Sequence, residues 1–88
     1  MTTPAGFEQT VTGIPIWLFQ EYLEQLDGRV QADGSIAGDG WQATLTQVDD
    51  YRIGSLSVGR VRLELRGEAE AVRQIRQALE PKLLRAGG

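Results

Sequence analysis

The sequence is 88 residues long, which is enough for one domain with a single modest core. It contains no cysteine and no histidine, which excludes disulfides, structural zinc sites, thiolate nucleophiles and histidine-based triads. The net charge of −3 and the pI near 4.8 argue against nucleic-acid binding. The sequence shows no bilayer-length apolar run and no signal segment, so we expect a cytoplasmic protein without membrane association.

The first predicted elements are a strand and a helix. Residues 7–12 alternate and favour β structure, which the next residue, a glycine, interrupts. Pro15 suits the first position of a helix, where its missing N–H is not needed. Residues 15–26 then carry apolar side chains at helical spacing, and Asp27-Gly28 ends this helix with Gly28 in the left-handed conformation.

Short strands separated by glycine follow this helix. The segment "VQADGSIA" predicts a tight hairpin, since Asp33-Gly34 suits a type I′ turn. A second turn is expected at residues 38–40 and a half-buried strand at residues 41–48, where apolar and polar side chains alternate. Asp49-Asp50 predicts a further turn.

In the longest β stretch, "YRIGSLSVGRVRLELRG", the alternating apolar residues are at even positions just before Gly59 and at odd positions after it. This glycine marks either a bulge or a turn between two strands, and we favour the turn. From Glu68 a second helix is predicted, which Pro81 ends or kinks. Its expected buried stripe is Val72, Ile75 and Leu79.

The predicted fold class is therefore α+β, in the order strand, helix, four antiparallel strands, helix, with the helices on one face of one sheet. We expect a single domain over residues 6–85, a disordered segment at residues 1–5, and a flexible glycine-rich tail at residues 86–88. The alternation in "RVRLELR" predicts that the other sheet face is polar, and hence a monomer.

Three arginines form the first candidate site. Arg60, Arg62 and Arg66 share the parity opposite to that of the apolar residues between them, so they line one exposed face with Glu64. Their guanidinium groups could bind a phosphate or carboxylate. The more ordinary interpretation is a solvated strand face whose arginines pair with acidic residues of neighbouring strands.

Other polar and aromatic residues favour structural roles. The aspartates at positions 33, 39, 49 and 50 are typical of turns, and we expect neither a metal site nor a cofactor. Trp17 and Trp41 most simply pack in the core or at its rim. If Trp17 instead points outward beside Ile14 and Ile16, that cluster predicts a surface for a partner protein.

The sequence ends in "LLRAGG". Ubiquitin-like sulfur carriers use a diglycine terminus, whose carboxylate is adenylated and converted to a thiocarboxylate. Gly87 and Gly88 could serve this chemistry, but glycine is also common at frayed chain ends and after helices. Those carriers are β-grasp folds whose tail follows a strand, whereas here it follows a predicted helix.

Residues 6–28 and 48–70, together with the terminal "RAGG", resemble the C-terminal domain of bacterial proteins related to the molybdopterin-synthase small subunit, MoaD. The most specific segments are Trp17-Leu18, "YLE" at residues 22–24 and "GSLS" at residues 54–57. The resemblance implies a fold similar to that of the TATA-box-binding protein. In the two-domain relatives a β-grasp carrier domain precedes this one. Here only residues 1–5 precede the matching region, so we expect a free-standing module.

The leading hypothesis is a non-enzymatic accessory or interaction domain that the resemblance links to molybdopterin cofactor biosynthesis. Its partners would be proteins of molybdopterin or sulfur-transfer pathways, bound through the arginine row or around Trp17. One alternative is a sulfur-carrier substrate activated at Gly88. Another is a protein that binds a small anionic ligand through Arg60, Arg62 and Arg66.

Overall fold

The structure, a computed structural model, describes residues 4–87. It contains one sheet and two helices in the predicted order. The elements are β1 (Pro4–Thr12), α1 (Ile16–Gln25), β2 (Arg29–Val30), β3 (Ile36–Gly38), β4 (Trp41–Ile53), β5 (Leu56–Glu68) and α2 (Ala69–Gly87). The predicted α+β class is therefore confirmed, and the first strand begins three residues earlier than the alternation indicated.

The sheet is antiparallel throughout, with the strand order β1-β5-β4-β3-β2. Its centre is the long β4–β5 hairpin, in which Leu45 lies opposite Leu63. The first strand, β1, pairs with β5, with Val11 opposite Val61, and forms one edge of the sheet. The short β2–β3 hairpin extends the other side, and β2 forms the second edge.

Both helices cover the same face of the sheet. Directly opposed residues of antiparallel strands point to the same side, so the strand register separates the side chains into two sets. One set packs beneath the helices and forms the core with them. The buried apolar residues are Val11, Ile14, Phe19, Leu23, Ile36, Trp41, Ala43, Val61, Leu63, Leu65, Val72, Ile75 and Leu79. The stripe predicted for the second helix is thus confirmed.

The end of α1 differs from the sequence-based expectation. Asp27 (φ 69°), and not Gly28, adopts the left-handed conformation. The N–H of Gly28 donates to the oxygen of Leu23 and the N–H of Asp27 to that of Glu24, which is the Schellman pattern. Gly28 is required for space instead, because a Cβ there would lie 2.6 Å from Cγ2 of Ile36. At the other end Pro15 is the N-cap, and the helix starts one residue later.

The β2–β3 hairpin is confirmed, but its loop is longer than the type I′ turn predicted from Asp33-Gly34. The N–H of Gln31 donates to the oxygen of Ser35 and the N–H of Gly34 to that of Gln31. Residues 32–34 therefore form a three-residue loop, in which only Gly34 has a positive φ (88°). The Asp33 carboxylate instead accepts hydrogen bonds from the N–H and hydroxyl of Ser35.

The turn predicted at Asp49-Asp50 is wrong, and so is the turn favoured at Gly59. β4 continues through the two aspartates, β5 continues through Gly59, and the hairpin turn lies at Gly54-Ser55. Val48 faces Arg60 whereas Tyr51 faces Val58, so two residues of β4 oppose one residue of β5. This is a β-bulge, which was the other interpretation of Gly59. Its extra residue lies on β4 and not on β5.

The second helix continues past Pro81 to Gly87, so this proline does not end the helix although it lacks a backbone N–H. Lys82 connects the two helices, since its Nζ donates to Oε1 of Gln25 over 2.8 Å. Of the segments expected to be disordered or flexible, residues 1–3 and Gly88 lie outside the described residues. Neither helix within residues 4–87 is both long and apolar enough to cross a membrane.

Candidate partner-binding face

Among the elements of residues 4–87 no helix covers the second face of the sheet, and we call this face the open face. Its residues are those whose register positions alternate with the buried set. They are Pro4, Gly6, Glu8, Thr10 and Thr12 on β1, Arg60, Arg62, Glu64, Arg66 and Glu68 on β5, Gln42, Thr44, Thr46 and Val48 on β4, Ala37 on β3 and Arg29 on β2.

The open face is positively charged on an acidic protein. Four arginines stand against three glutamates on this surface, whereas the whole chain has a net charge of −3. The rest of the face consists mainly of threonine and glutamine. The predicted arginine row therefore exists, and strand pairing brings its three members onto one surface as expected.

Arg62 occupies the middle of the face between Thr10 and Thr46. Its Nε lies 3.8 Å from Oε1 of Glu8, a long and half-exposed ion pair. Within the described structure this Nε is buried and has no hydrogen-bond partner. An exposed ion pair of this length contributes little to stability, so the guanidinium group is only weakly engaged within the chain.

Arg60 has a structural role at the bulge. Its Nε donates to the main-chain oxygen of Asp49 over 2.8 Å, and Nε2 of Gln47 donates to the oxygen of Arg60 over 2.9 Å. These two bonds join β4 and β5 where the regular ladder is interrupted. Arg60 is thus partly committed to the fold. Arg66 is exposed, and the half-buried Arg62 makes only the long contact to Glu8.

Arg66 lies at the far end of the face. It is exposed, and its neighbours across the sheet are Gly6 and Gln42, neither of which is charged. A shallow depression of about 590 Å³ adjoins it, with a floor made partly of glycine backbone. Among the residues described, the carboxylate pairing that the ordinary interpretation requires is found for Arg62 alone.

The spacing of the arginines limits what the face can bind. Arg62 and Arg66 are four residues apart on one strand, which separates their Cα atoms by about 13 Å. Glu64 lies between them and faces Glu8 across the sheet. Side chains that stand perpendicular to the sheet at this separation do not reach the same phosphate, and the Glu64 carboxylate between them repels an anion. The arrangement suits an extended acidic surface better.

Trp17 is not a packing residue, contrary to the simpler expectation. Its side chain is 64% exposed, on the first turn of α1, whereas Trp41 is buried in the core as predicted. The apolar cluster proposed around Trp17 does not form as a whole, because Ile14 is only 1% exposed and belongs to the core. Trp17 lies in the helical layer and is not part of the open face.

Two residues of the face escaped the sequence analysis. Arg29 is placed there by the pairing of the two-residue strand β2 with Ala37, a register that no local pattern indicates. Glu8 was assigned to a strand, and its alternation with Phe7 could have predicted that it faces solvent. Its position beside Arg62 depends on the β1–β5 register, which is a tertiary feature.

Two exposed carboxylates within residues 4–87 have pKa values below their ordinary range. The pKa of Asp33 is lowered because Ser35 donates two hydrogen bonds to its carboxylate, and the pKa of Glu70 is lowered by the adjacent Arg73. Carboxylates shifted in this direction stay ionised near neutral pH, which does not suit proton transfer. The described acidic residues also provide no cluster that could hold a metal ion.

These features define a small α+β domain whose sheet has one packed face and one exposed, positively charged face. The chain belongs to the MoaD-like family, since residues 7–88 match the family model described as archaeal MoaD-like protein. This match agrees with the resemblance to MoaD-related proteins, and the family's description is archaeal where the resemblance pointed to bacterial proteins. No curated protein matches the sequence.

Proposed function

We propose that this chain is a non-enzymatic interaction domain of MoaD-type sulfur transfer, and that it serves molybdopterin cofactor biosynthesis. Its open face would bind an acidic surface of a partner protein in that pathway. The observation that carries the proposal is the positive charge of this uncovered face. The family membership supports the pathway.

The contacts favour a protein partner over a small anion. Arg62 and Arg66 lie at separate places on the open face, with about 13 Å between their Cα atoms. Thr10 and Thr46, on either side of Arg62, provide hydroxyl groups that can both donate and accept hydrogen bonds. Such a surface matches several carboxylates spread along a strand or helix, each bound by a guanidinium fork.

The test is direct binding to purified candidate partners. We would immobilise the domain and measure its affinity for a β-grasp MoaD carrier, for the large subunit of molybdopterin synthase and for the carrier-activating enzyme. We expect one of them to bind, and we expect the affinity to fall at least tenfold in the double variant Arg62→Glu, Arg66→Glu. Binding should weaken as salt is raised, because the contact is between opposite charges.

The matched control is Arg73→Glu, since Arg73 is an exposed arginine on α2 and lies away from the open face. This variant makes the domain more acidic but should leave the affinity nearly unchanged. If none of the three proteins binds while the carrier binds its own synthase subunit in parallel, the proposal is refuted. Equal losses in the open-face and Arg73 variants would refute the open face as the binding surface.

A second candidate function is sulfur carriage through the carboxylate of Gly88. The family match favours it, because the matched region includes Gly87 and Gly88. Incubation with ATP, a ubiquitin-activating-type enzyme and a sulfur donor should then give an adenylated or thiocarboxylated C-terminus by mass spectrometry. Removal of Gly87 and Gly88 should abolish the modification. An unmodified terminus beside a reacting MoaD carrier would exclude this function under those conditions.

A further inference from the structure

Within residues 4–87 the outer edge of the first strand, β1, pairs with no other strand, so its outward backbone groups are free to form hydrogen bonds. The N–H of Gly13 donates to Gly59 and that of Glu68 to Gly40, each over 2.8 Å, so odd-numbered residues of β5 direct their backbone groups towards β1. In the paired strand the odd residues therefore bond to β5. The backbone N–H and C=O groups of the even residues lie in the plane of the sheet and point outward from its edge, away from β5. These residues are Gly6, Glu8, Thr10 and Thr12.

This edge lacks the usual protections against pairing with another strand. Natural edge strands are shortened, bulged, interrupted by proline or given an inward-pointing charge. Here β1 is nine residues long, pairs with β5 without a register shift, and has its proline at the first position only. Its one charged residue, Glu8, points to the open face and not towards the core.

An open groove runs along this edge on the helical side. Its volume is about 790 Å³, and its lining includes Phe7, Gln9 and Val11 of β1. The lining residues of α2 are Arg73, Arg76, Gln77, Leu79, Glu80, Leu83 and Leu84. Arg76 covers part of the Phe7 ring, with Cζ 3.8 Å from the ring centre. Leu84 also lines the groove and is 68% exposed. An exposed apolar groove beside a free strand edge is a site for strand addition.

We propose that a second copy of this chain occupies the edge, with β1 paired antiparallel to β1 of its partner about a two-fold axis at Gln9. In this register Glu8 faces Thr10 of the copy, so like charges are not opposed, and Phe7 faces Val11. The even residues would then exchange backbone hydrogen bonds across the axis. Gln9 would face its own counterpart, and an amide carries both a donor and an acceptor.

The helix beside the groove has a charge pattern that fits the same symmetry. Arg73, Arg76 and Glu80 line the groove, with the basic residues earlier along α2 and the acidic residue later. Because α2 follows the groove, the two-fold axis turns it antiparallel to its copy. The basic part of one helix then lies towards Glu80 of the other, which is the complementarity that an isologous interface needs.

This dimer differs from the monomer expected from the sequence, which was inferred from the polar open face alone. The proposed contact uses the sheet edge and leaves the open face free for a partner. The dimer and the proposed function are therefore independent, and each can fail without the other.

The first test compares Thr10→Pro with Thr10→Val by sedimentation equilibrium over a broad concentration range. The proline removes an outward N–H and no bond to β5, and proline is tolerated at such edge positions. We expect a dimer for the parent chain and for Thr10→Val, and at least tenfold weaker association for Thr10→Pro. Circular dichroism verifies that each variant is folded. A parent chain that stays monomeric at high micromolar concentration overturns the proposal.

A second pair of variants covers the case in which Thr10→Pro does not fold. Gln9→Lys places two ammonium groups opposite each other at the axis, and Gln74→Lys makes the same change at an exposed position of α2 outside the groove lining. Only Gln9→Lys should weaken the dimer. Equal dimerisation of both would show that another surface is used and would overturn the proposal.

Amide hydrogen exchange gives a residue-level readout. In the monomer the N–H groups of Phe7 and Gln9 are protected by β5, and those of Glu8 and Thr10 exchange freely. In the dimer all four should be protected, and the protection of Glu8 and Thr10 should rise with protein concentration. Protection of these two groups that does not change with concentration would contradict pairing between copies.

Discussion

The end of α1 allows a prediction in which substitutions at two adjacent residues have opposite signs. At Gly28 a methyl group would lie 2.6 Å from Cγ2 of Ile36 and 2.8 Å from Cη2 of Trp41, well inside the 3.4–4 Å of ordinary contact. It would also lie 2.7 Å from the oxygen of Leu23, which accepts the N–H of Gly28 and cannot move without losing that bond. Overpacking of this kind costs about 1–3 kcal/mol, so Gly28→Ala should destabilise the protein by that amount.

At Asp27 the expected sign is reversed. Its φ of 69° is a left-handed conformation that glycine adopts without steric cost. The strain of an ordinary L-residue there is roughly 1–2 kcal/mol, less for aspartate, and it is offset by the roughly 0.5–1 kcal/mol of entropy that glycine loses on folding. We therefore expect Asp27→Gly to be neutral or to stabilise the protein by about 0.5 kcal/mol.

Urea unfolding followed by circular dichroism measures both values, with the slope of each transition as a check that the unfolded states are comparable. Gly6→Ala is the control, because Gly6 has no positive φ and its added methyl group would meet no atom within 4 Å. The reasoning is refuted if Gly28→Ala is harmless, since Gly28 would then not be closely packed against Ile36 and Trp41. It is equally refuted if Asp27→Gly destabilises the protein, since Asp27 would then not be the left-handed residue.

Three further predictions concern the core, the bulge and the pH dependence of stability. Leu63→Ala removes a fully buried side chain at the centre of β5 and should cost 2–5 kcal/mol in urea unfolding; a loss below 1 kcal/mol would contradict the described core. Arg60→Ala removes the hydrogen bond to Asp49 and should cost about 1 kcal/mol, whereas Arg66→Ala should be nearly neutral in the same assay. Hydrogen bonds from Ser35 lower the pKa of Asp33, so its contribution to stability is complete above the unfolded pKa near 4 and is lost as pH falls through the lower folded value. Unfolding midpoints between about pH 2 and 6 should therefore fall less steeply in Asp33→Asn, and an unchanged slope would contradict this assignment.

The sequence was sufficient to predict both helices and the parts of the strands that alternate regularly, although not the full extent of β4 and β5. The alternation around Val61 and the helical spacing of Val72 and Ile75 are local patterns, and both place the core as observed. The arginine row followed from the same alternation. Strand pairing then placed these residues on the open face, as the parity rule requires.

Where prediction failed, tertiary contacts override a local preference. Asp49-Asp50 is typical of a turn, yet pairing with β5 and the side chains of Gln47 and Arg60 keep it in a bulged strand. Trp17 is apolar enough for the core, but Phe19 and Leu23 already occupy the buried face of α1. Arg29 could not be placed because β2 has only two residues.

Because the helices of residues 4–87 cover only one face of the sheet, alternate residues of one strand are under different selection. One set is selected for folding and the other for binding. Along β5 each substitution at an odd position from 61 to 65 changes a buried contact, whereas substitutions at positions 62, 64 and 66 change mainly the open face. Affinity for a partner can therefore drift, or be re-engineered, residue by residue without loss of folding free energy. A single-residue insertion in this strand would exchange the two sets, so insertions there should be far less tolerated than substitutions.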